Sequence, residues 1–200
     1  MGISTVIFDM GGVLVWTHWE RATEPLGKLA RVPPERVLET ILHTDAHFSY
    51  MIGEIDSYEF AIGILESLGI DIPQEELLAI WDSILAPNPE ALPVLERLKK
   101  RYRLVLGSNT DIGHFNRSLE VQPGLGLFDD LLLSYELGVC KPDAAFFELG
   151  LASLEIPPEK CVFIDDLAAN IESAKGVGIK AIQFQSMSQV EAELGRLGLL

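Results

Sequence analysis

The apolar positions of this chain follow one period at the amino terminus, another through the next seventy residues, and then an alternation of both. In "STVIFD", Ser4 to Phe8 read as a buried strand, its apolar residues Val6, Ile7 and Phe8 running together without polar interruption. From Thr17 to Pro87 the signals are helical only. The segments "PPERVLETILHT", "DSYEFAIGILESLG" and "PQEELLAIWDSIL" each open on Pro or an Asp/Ser cap, and several close on Gly or Pro. Beyond Pro87, Asn88 is expected to cap a helix through "PEALPVLERLKKRY". "RLVLGSN", "LFDDLLLS", "KCVFID" and "KAIQF" then read as strands, separated by the helices "DIGHFNRSLE", "KPDAAFFELGLASL" and "LAANIESAKGVG". Such alternation predicts an α/β fold with a parallel, doubly wound sheet sandwiched by helices. The all-helical stretch directly follows the first strand, so it can close over the carboxyl edge of the sheet, where sheets of this kind bind ligands. The expected division is a core of residues 1–16 and 88–200 with an inserted helical cap of residues 17–87.

Length and charge narrow the class. A chain of 200 residues accommodates one core of about 130 residues and a smaller insertion, and buries roughly 70% of its unfolded surface without staples. With 48% apolar and 22% charged residues it has the composition of an ordinary globular protein. The formal net charge of −15 sets up a field that repels nucleic acid and anionic membranes, both of which bind through Lys/Arg patches. An anionic ligand must instead be caught by local positive devices: a lysine, a metal or helix amino termini. Only Cys140 and Cys161 occur, and "MGISTVIFDMGG" shows neither a basic leader nor a long apolar run. The expectation is a cytoplasmic protein with two free thiols, a monomer or weak homodimer.

Four groups of polar residues fall at or just after the carboxyl ends of predicted strands: Asp9 with Gly11, Ser108 with Asn109, Lys141, and Asp165 with Asp166. In one parallel sheet those ends converge on a single crevice, so the set is far more specific than any member of it. Asp9 alone reads as a turn or capping aspartate, Ser108–Asn109 as a strand-ending turn, and Lys141 as a surface lysine. A helix start explains one of the paired acids, but not both.

In order and spacing, "FDMGGVL", "GSNTD", "KPDAAFF" and "FIDDLAANIESAKGVGIKAI" resemble the four motifs of the haloacid dehalogenase (HAD) superfamily. The finer pattern is similar to its glucose-1-phosphate phosphatase branch. The resemblance implies a Rossmann-like α/β fold and a phosphatase acting on a small phosphorylated metabolite, with a sugar phosphate such as glucose 1-phosphate as the candidate the branch suggests. Asp9 would be the nucleophile, forming an aspartyl-phosphate; a carboxylate is ionised at neutral pH and needs no activating base. Mg²⁺ would be held by Asp9, the Gly11 carbonyl, Asp166 and secondarily Asp165. Ser108, Asn109 and Lys141 would stabilise the transferring phosphoryl, Asn170 would orient its neighbours, and Gly12 and Thr110 would contact the substrate.

One expected group is absent. Most phosphatases of the superfamily carry Asp two residues after the nucleophile to protonate the leaving oxygen, whereas this chain has Gly11. General acid–base help is worth about 10²–10⁴-fold, so its absence weakens such a mechanism without abolishing it. His18, Glu20, His47 and Asp111 are candidates to supply the missing group. The resemblance leaves two alternatives. A haloacid dehalogenase also lacks that acid, but the paired acids of "FIDD" argue against it; a binding protein on a decayed enzyme fold would not be expected to keep all four polar groups. Substrate choice falls to the cap, where "DAHFSYMIGEID" offers His47, Phe48, Tyr50 and Met51 as pocket residues, with Trp16, His18 and Trp19 as further wall.

Overall fold

A computed structural model describes residues 2–200. The strand β1 (Thr5–Phe8) is followed by the short β2 (Val15–Thr17) and five helices: α1 (Glu20–Ala30), α2 (Pro34–Leu42), α3 (Asp45–Met51), α4 (Ser57–Leu68) and α5 (Gln74–Asp82). The chain returns through β3 (Leu85–Pro87) and then alternates: α6 (Ala91–Lys99), β4 (Arg103–Ser108), α7 (Ile112–Val121), β5 (Asp130–Leu133), the one-turn α8 (Ser134–Leu137), α9 (Ala144–Ser153), β6 (Cys161–Asp165), α10 (Ala168–Gly176), β7 (Lys180–Gln183) and α11 (Met187–Arg196). Five strands form one sheet in the order β5-β4-β1-β6-β7, with every neighbouring pair parallel. The doubly wound α/β architecture expected from the alternation is therefore present. No helix among the described residues is long and apolar enough to cross a membrane.

Side-chain alternation along the central strands builds the two layers. Val6 and Phe8 of β1, with Leu104 and Leu106 of β4, point into the cluster covered by α6 and α11. Ile7, Val105 and Phe163 point the other way, under Phe146, Phe147 and Leu151 of α9 and Ile171 of α10. A strand between two helical layers must be apolar on both faces, which explains the unbroken run that opens the chain.

The helices α1–α5 enclose a separate hydrophobic cluster that includes Leu26, Val37, Ile41, Phe60, Ile64, Leu77 and Trp81. They meet the sheet's carboxyl edge through a polar seam. Ser134 Oγ donates to the Met51 carbonyl at 2.6 Å, Trp81 Nε1 to Asp111 Oδ2 at 3.3 Å, and the Gly113 N–H to Tyr50 Oη at 3.4 Å. Gly53, at φ +73°, lies so near Tyr135 that an added Cβ would stand 2.2 Å from its carbonyl oxygen, so glycine is required there by both space and conformation.

Two expectations are corrected. The segment read as helical from Thr17 to Pro87 begins and ends in strands: β2 and β3 pair antiparallel, Val15 opposite Pro87 and Thr17 opposite Leu85. Strands of three residues are too short to show a period of two. Asn88 caps no helix, and α6 begins at Ala91 without a side-chain cap. Buried at 1% exposure, Asn88 instead ties two loops together, with Nδ2 donating to the Val13 carbonyl at 2.7 Å and Oδ1 accepting from Glu90 N at 3.1 Å.

Candidate active site

A cavity of about 350 Å³ lies between the carboxyl ends of the strands and the helices above them, a size suited to a small molecule. Its floor holds Asp9, Gly11, Gly12, Asn109, Lys141 and Asp166. Asp9, Gly11, Gly12, Asn109 and Asp166 reach that place because a strand stops just before them, β1 at Phe8, β4 at Ser108 and β6 at Asp165, and Lys141 comes from the loop between α8 and α9.

The floor is organised around one buried cation. Lys141 Nζ lies 2.9 Å from Asp9 Oδ1 and 2.7 Å from Asp165 Oδ2, and it donates to the Gly107 carbonyl at 2.8 Å. Its backbone is clamped by Asn109, whose Nδ2 donates to the Lys141 carbonyl and whose Oδ1 accepts from the Lys141 N–H, each at 2.7 Å. Asp9 Oδ1 also accepts from the Met10 N–H at 2.7 Å. Lys141 and Met10 thus engage one oxygen of that carboxylate, and among the described residues no side-chain or backbone donor takes the other.

Asp165 is fully enclosed and saturated. Besides Lys141 it accepts from Leu167 N at 2.8 Å and from Asn170 Nδ2 at 3.0 Å on both of its oxygens. Asn170 therefore orients a neighbour, as its position suggested.

Electrostatics follow from this packing. Burial pushes the Asp9 carboxyl up to about 7, against the pull of the Lys141 ammonium, and raises Asp166 as well, with Asp165 adding repulsion. For Lys141, burial favours the neutral amine, but Asp9 and Asp165 outweigh it and hold the ammonium above its usual range. Asp9, Asp165 and Asp166 offer carboxylate oxygens that all lie within 4.8 Å of one another. Three carboxylates around a single ammonium, with two of the carboxyls pushed upward, form an oxygen-rich, electron-rich donor set that fits a hard divalent cation. Gly12, at φ +74°, keeps that set open: a Cβ there would come within 2.5 Å of Asp166 Oδ2.

The other expected residues divide. His47 lines the cavity, and burial lowers its imidazole below the ordinary value. Thr110 also lines it, but its N–H donates to Ser134 Oγ at 2.9 Å and its hydroxyl to the Asp111 carbonyl at 3.2 Å, so both polar groups are committed to the protein. Ser108 is 1% exposed and stands behind the wall, with its hydroxyl 3.4 Å from the Asn109 carbonyl. Tyr50 is not a cavity residue: it is buried among α1–α5 with its ring stacked on Phe60 at 4.6 Å. Phe48 points to solvent, and Trp16 packs on Phe184.

Among the four candidates for the missing acid, His47 alone lines the cavity. His18 pairs with Glu20 at an exposed site, and Asp111 is buried as the amino-terminal cap of α7. Several wall residues are not singled out by the sequence, His114 and Trp81 among them. His114 and Trp81 stack at 4.7 Å and face the cavity together. The only hint of His114 is its position in the first turn of the helix after "GSNTD"; Trp81 is indistinguishable from a helix core residue until α5 is seen against α7.

A doubly wound sheet whose strand ends bring a buried carboxylate–lysine pair to a small cavity has its polar centre where such sheets place their ligand sites. Residues 3–178 match the haloacid dehalogenase-like hydrolase family, and the chain belongs to it. A D-ribitol-5-phosphate phosphatase from Bacteroides thetaiotaomicron is 26% identical over 96% of this chain and 97% of its own length. A sesquiterpene phosphatase from Aspergillus oryzae is 25% identical over 96% and 94%. Among solved structures, a HAD family enzyme from B. thetaiotaomicron in complex with magnesium and inorganic phosphate superposes with a TM-score of 0.83 at 26% identity, covering 94% of this chain and 99% of that one.

Proposed function

We propose that this hydrolase is a magnesium-dependent phosphatase that cleaves small phosphomonoesters through an aspartyl-phosphate on Asp9, with residues 1–16 and 88–200 as catalytic core and residues 17–87 as cap. The observation that carries the reading is the split environment of Asp9: Lys141 and the Met10 N–H fix one oxygen, while the other is left to the cavity. The free oxygen attacks phosphorus, the bond to the ester oxygen breaks, and the alkoxide leaves and takes its proton from solvent water. Water then attacks the same phosphorus, releasing phosphate and restoring Asp9.

Lys141 and the Asn109 N–H would steady the charge on the phosphoryl oxygens. Asp9, Asp166 and the Gly11 carbonyl would hold magnesium, which when bound neutralises charge on the phosphate and orients it. We assign Asp165 to positioning Lys141, because its oxygens are already occupied. His47, neutral at pH 7, suits the role of accepting a proton from the hydrolytic water better than that of donating one to the leaving alcohol.

Support also comes from the relatives, a ribitol-5-phosphate phosphatase and a sesquiterpene phosphatase, and from the magnesium and phosphate in the B. thetaiotaomicron structure. Those names span polar and apolar alcohols. Gly11 taken alone would favour a sugar 1-phosphate, whose anomeric oxygen leaves readily without an acid; the lining of the cavity favours another alcohol. The test is phosphate release from a panel of monoesters with magnesium and with chelator, alongside halide release from 2-chloropropionate. Phosphate that disappears with chelator supports the reading; chloride without phosphate would replace it with a dehalogenase.

A further inference from the structure

The cavity has a second wall of different chemistry. Beside the charged floor the lining includes Trp19, Leu42, Met51, Trp81, Ile84 and Leu167. Several polar atoms on that side already have partners within the protein. Trp81 Nε1 donates to Asp111 Oδ2, and His114 Nε2 lies 3.1 Å from the Trp81 carbonyl, with Nδ1 3.4 Å from Asp111 Oδ2. Among the described residues, Lys141 is the cavity's one Lys or Arg, and Asp9 and Asp165 hold it. Thr17 and His47 remain as the polar groups there with no side-chain hydrogen bond among the described residues.

Resting on the phosphatase reading above, we infer that the substrate's alcohol is uncharged and largely apolar, an alkyl, isoprenoid or aryl alcohol, and that its single phosphoryl group is its only charged part. A polyol or sugar carries four or more hydroxyls into this wall and finds partners for at most two or three. Each buried hydroxyl left unpaired costs roughly ten- to a hundredfold in kcat/KM, whereas apolar carbon against indole, leucine and methionine gains by leaving water. A second phosphate or a carboxylate on the alcohol would find no free cation in a molecule of net charge −15. The lack of an acid at Gly11 matters least when the leaving alcohol is phenolic, since a phenoxide departs with less need of a proton than an alkoxide does.

The experiment compares kcat/KM for 1-naphthyl phosphate and a ten-carbon prenyl monophosphate with that for glucose 1-phosphate and ribitol 5-phosphate, all with magnesium. The apolar esters are expected to be favoured at least tenfold, and Met51→Gln is expected to narrow that ratio by roughly tenfold. Equal or better turnover of the sugar and polyol esters, or a ratio untouched by Met51→Gln, would overturn the inference. Binding is measured separately by quenching of Trp19 and Trp81 fluorescence with 1-naphthylmethylphosphonate and with glucose 1-phosphate. If no ester is hydrolysed, the phosphatase reading fails, while tighter binding of the naphthyl compound would still uphold the apolar wall and tighter binding of the sugar phosphate would reject it.

Discussion

The floor and the helical wall of the same cavity are built on opposite principles. On the floor the central charges are wired together: Lys141 to Asp9, Asp165 and the Gly107 carbonyl, Asn109 to both backbone groups of Lys141, Asn170 to Asp165. The wall is mostly carbon: Trp81 and His114 turn their polar atoms to partners inside the protein, and Thr17 and His47 are the polar side chains left to it. The floor determines which reaction can occur, and the wall determines which alcohol can be present when it does. Buried charges tolerate little change because an unpaired one is costly, whereas an apolar wall can be repacked at modest expense.

The largest break in the comparison is Asp9→Asn, which removes the nucleophile and leaves the wall intact. Turnover of any phosphate ester should fall on the order of 10⁴-fold or more while fluorescence quenching by a bound phosphonate persists; retained turnover would end the assignment. Lys141→Ala should cost about 3–5 kcal/mol of folding stability, read from a denaturant midpoint, because Asp9 and Asp165 would be left buried without their cation. A shift below 1 kcal/mol would mean that the lysine is not the organising charge. Gly11→Asp should raise kcat/KM about ten- to a hundredfold for esters of poor leaving alcohols, within the range of general acid help. A Cβ at that position meets nothing within 4 Å, so a loss of activity would point to electrostatic cost rather than crowding.

The smallest effect is a pH dependence. Burial raises the Asp9 carboxyl from 3.8 to about 7 and raises Asp166 too. A carboxyl whose folded pKa exceeds its unfolded value takes up a proton on folding, so its contribution is most favourable below pH 4 and is lost as the pH rises through 7. Without magnesium the protein should therefore lose on the order of 1 kcal/mol between pH 5 and pH 8 by denaturant titration. Magnesium or Asp9→Asn should reduce that loss; a slope of the opposite sign would show that the floor is not strained by its own charge.

Legibility in the sequence followed the same division. The strands and their order of chemistry could be read because β1, β4 and β6 are apolar runs that end in Asp9, Ser108 and Asp165, and the family resemblance rests on those same ends. The wall could not be read. His47, Met51 and Trp19 were placed near a pocket by proximity along the chain, but so were Tyr50 and Phe48, which face away from it. On a short helix such as α3, neighbouring residues point in different directions, and which of them meets the cavity depends on how α1–α5 seat on Ser134 and Asp111. The ribbon of β2 and β3 was invisible for a related reason, since three residues carry no period and only the pairing across seventy residues creates the strand.

The account depends most directly on a phosphoryl group carried by Asp9. The measurement is an acid quench of the enzyme during turnover of a radiolabelled monoester with magnesium, followed by peptide mapping. The account requires label on the peptide containing Asp9 and none in Asp9→Asn; label on another peptide, or phosphate release with no labelled peptide at any time of quench, would contradict it.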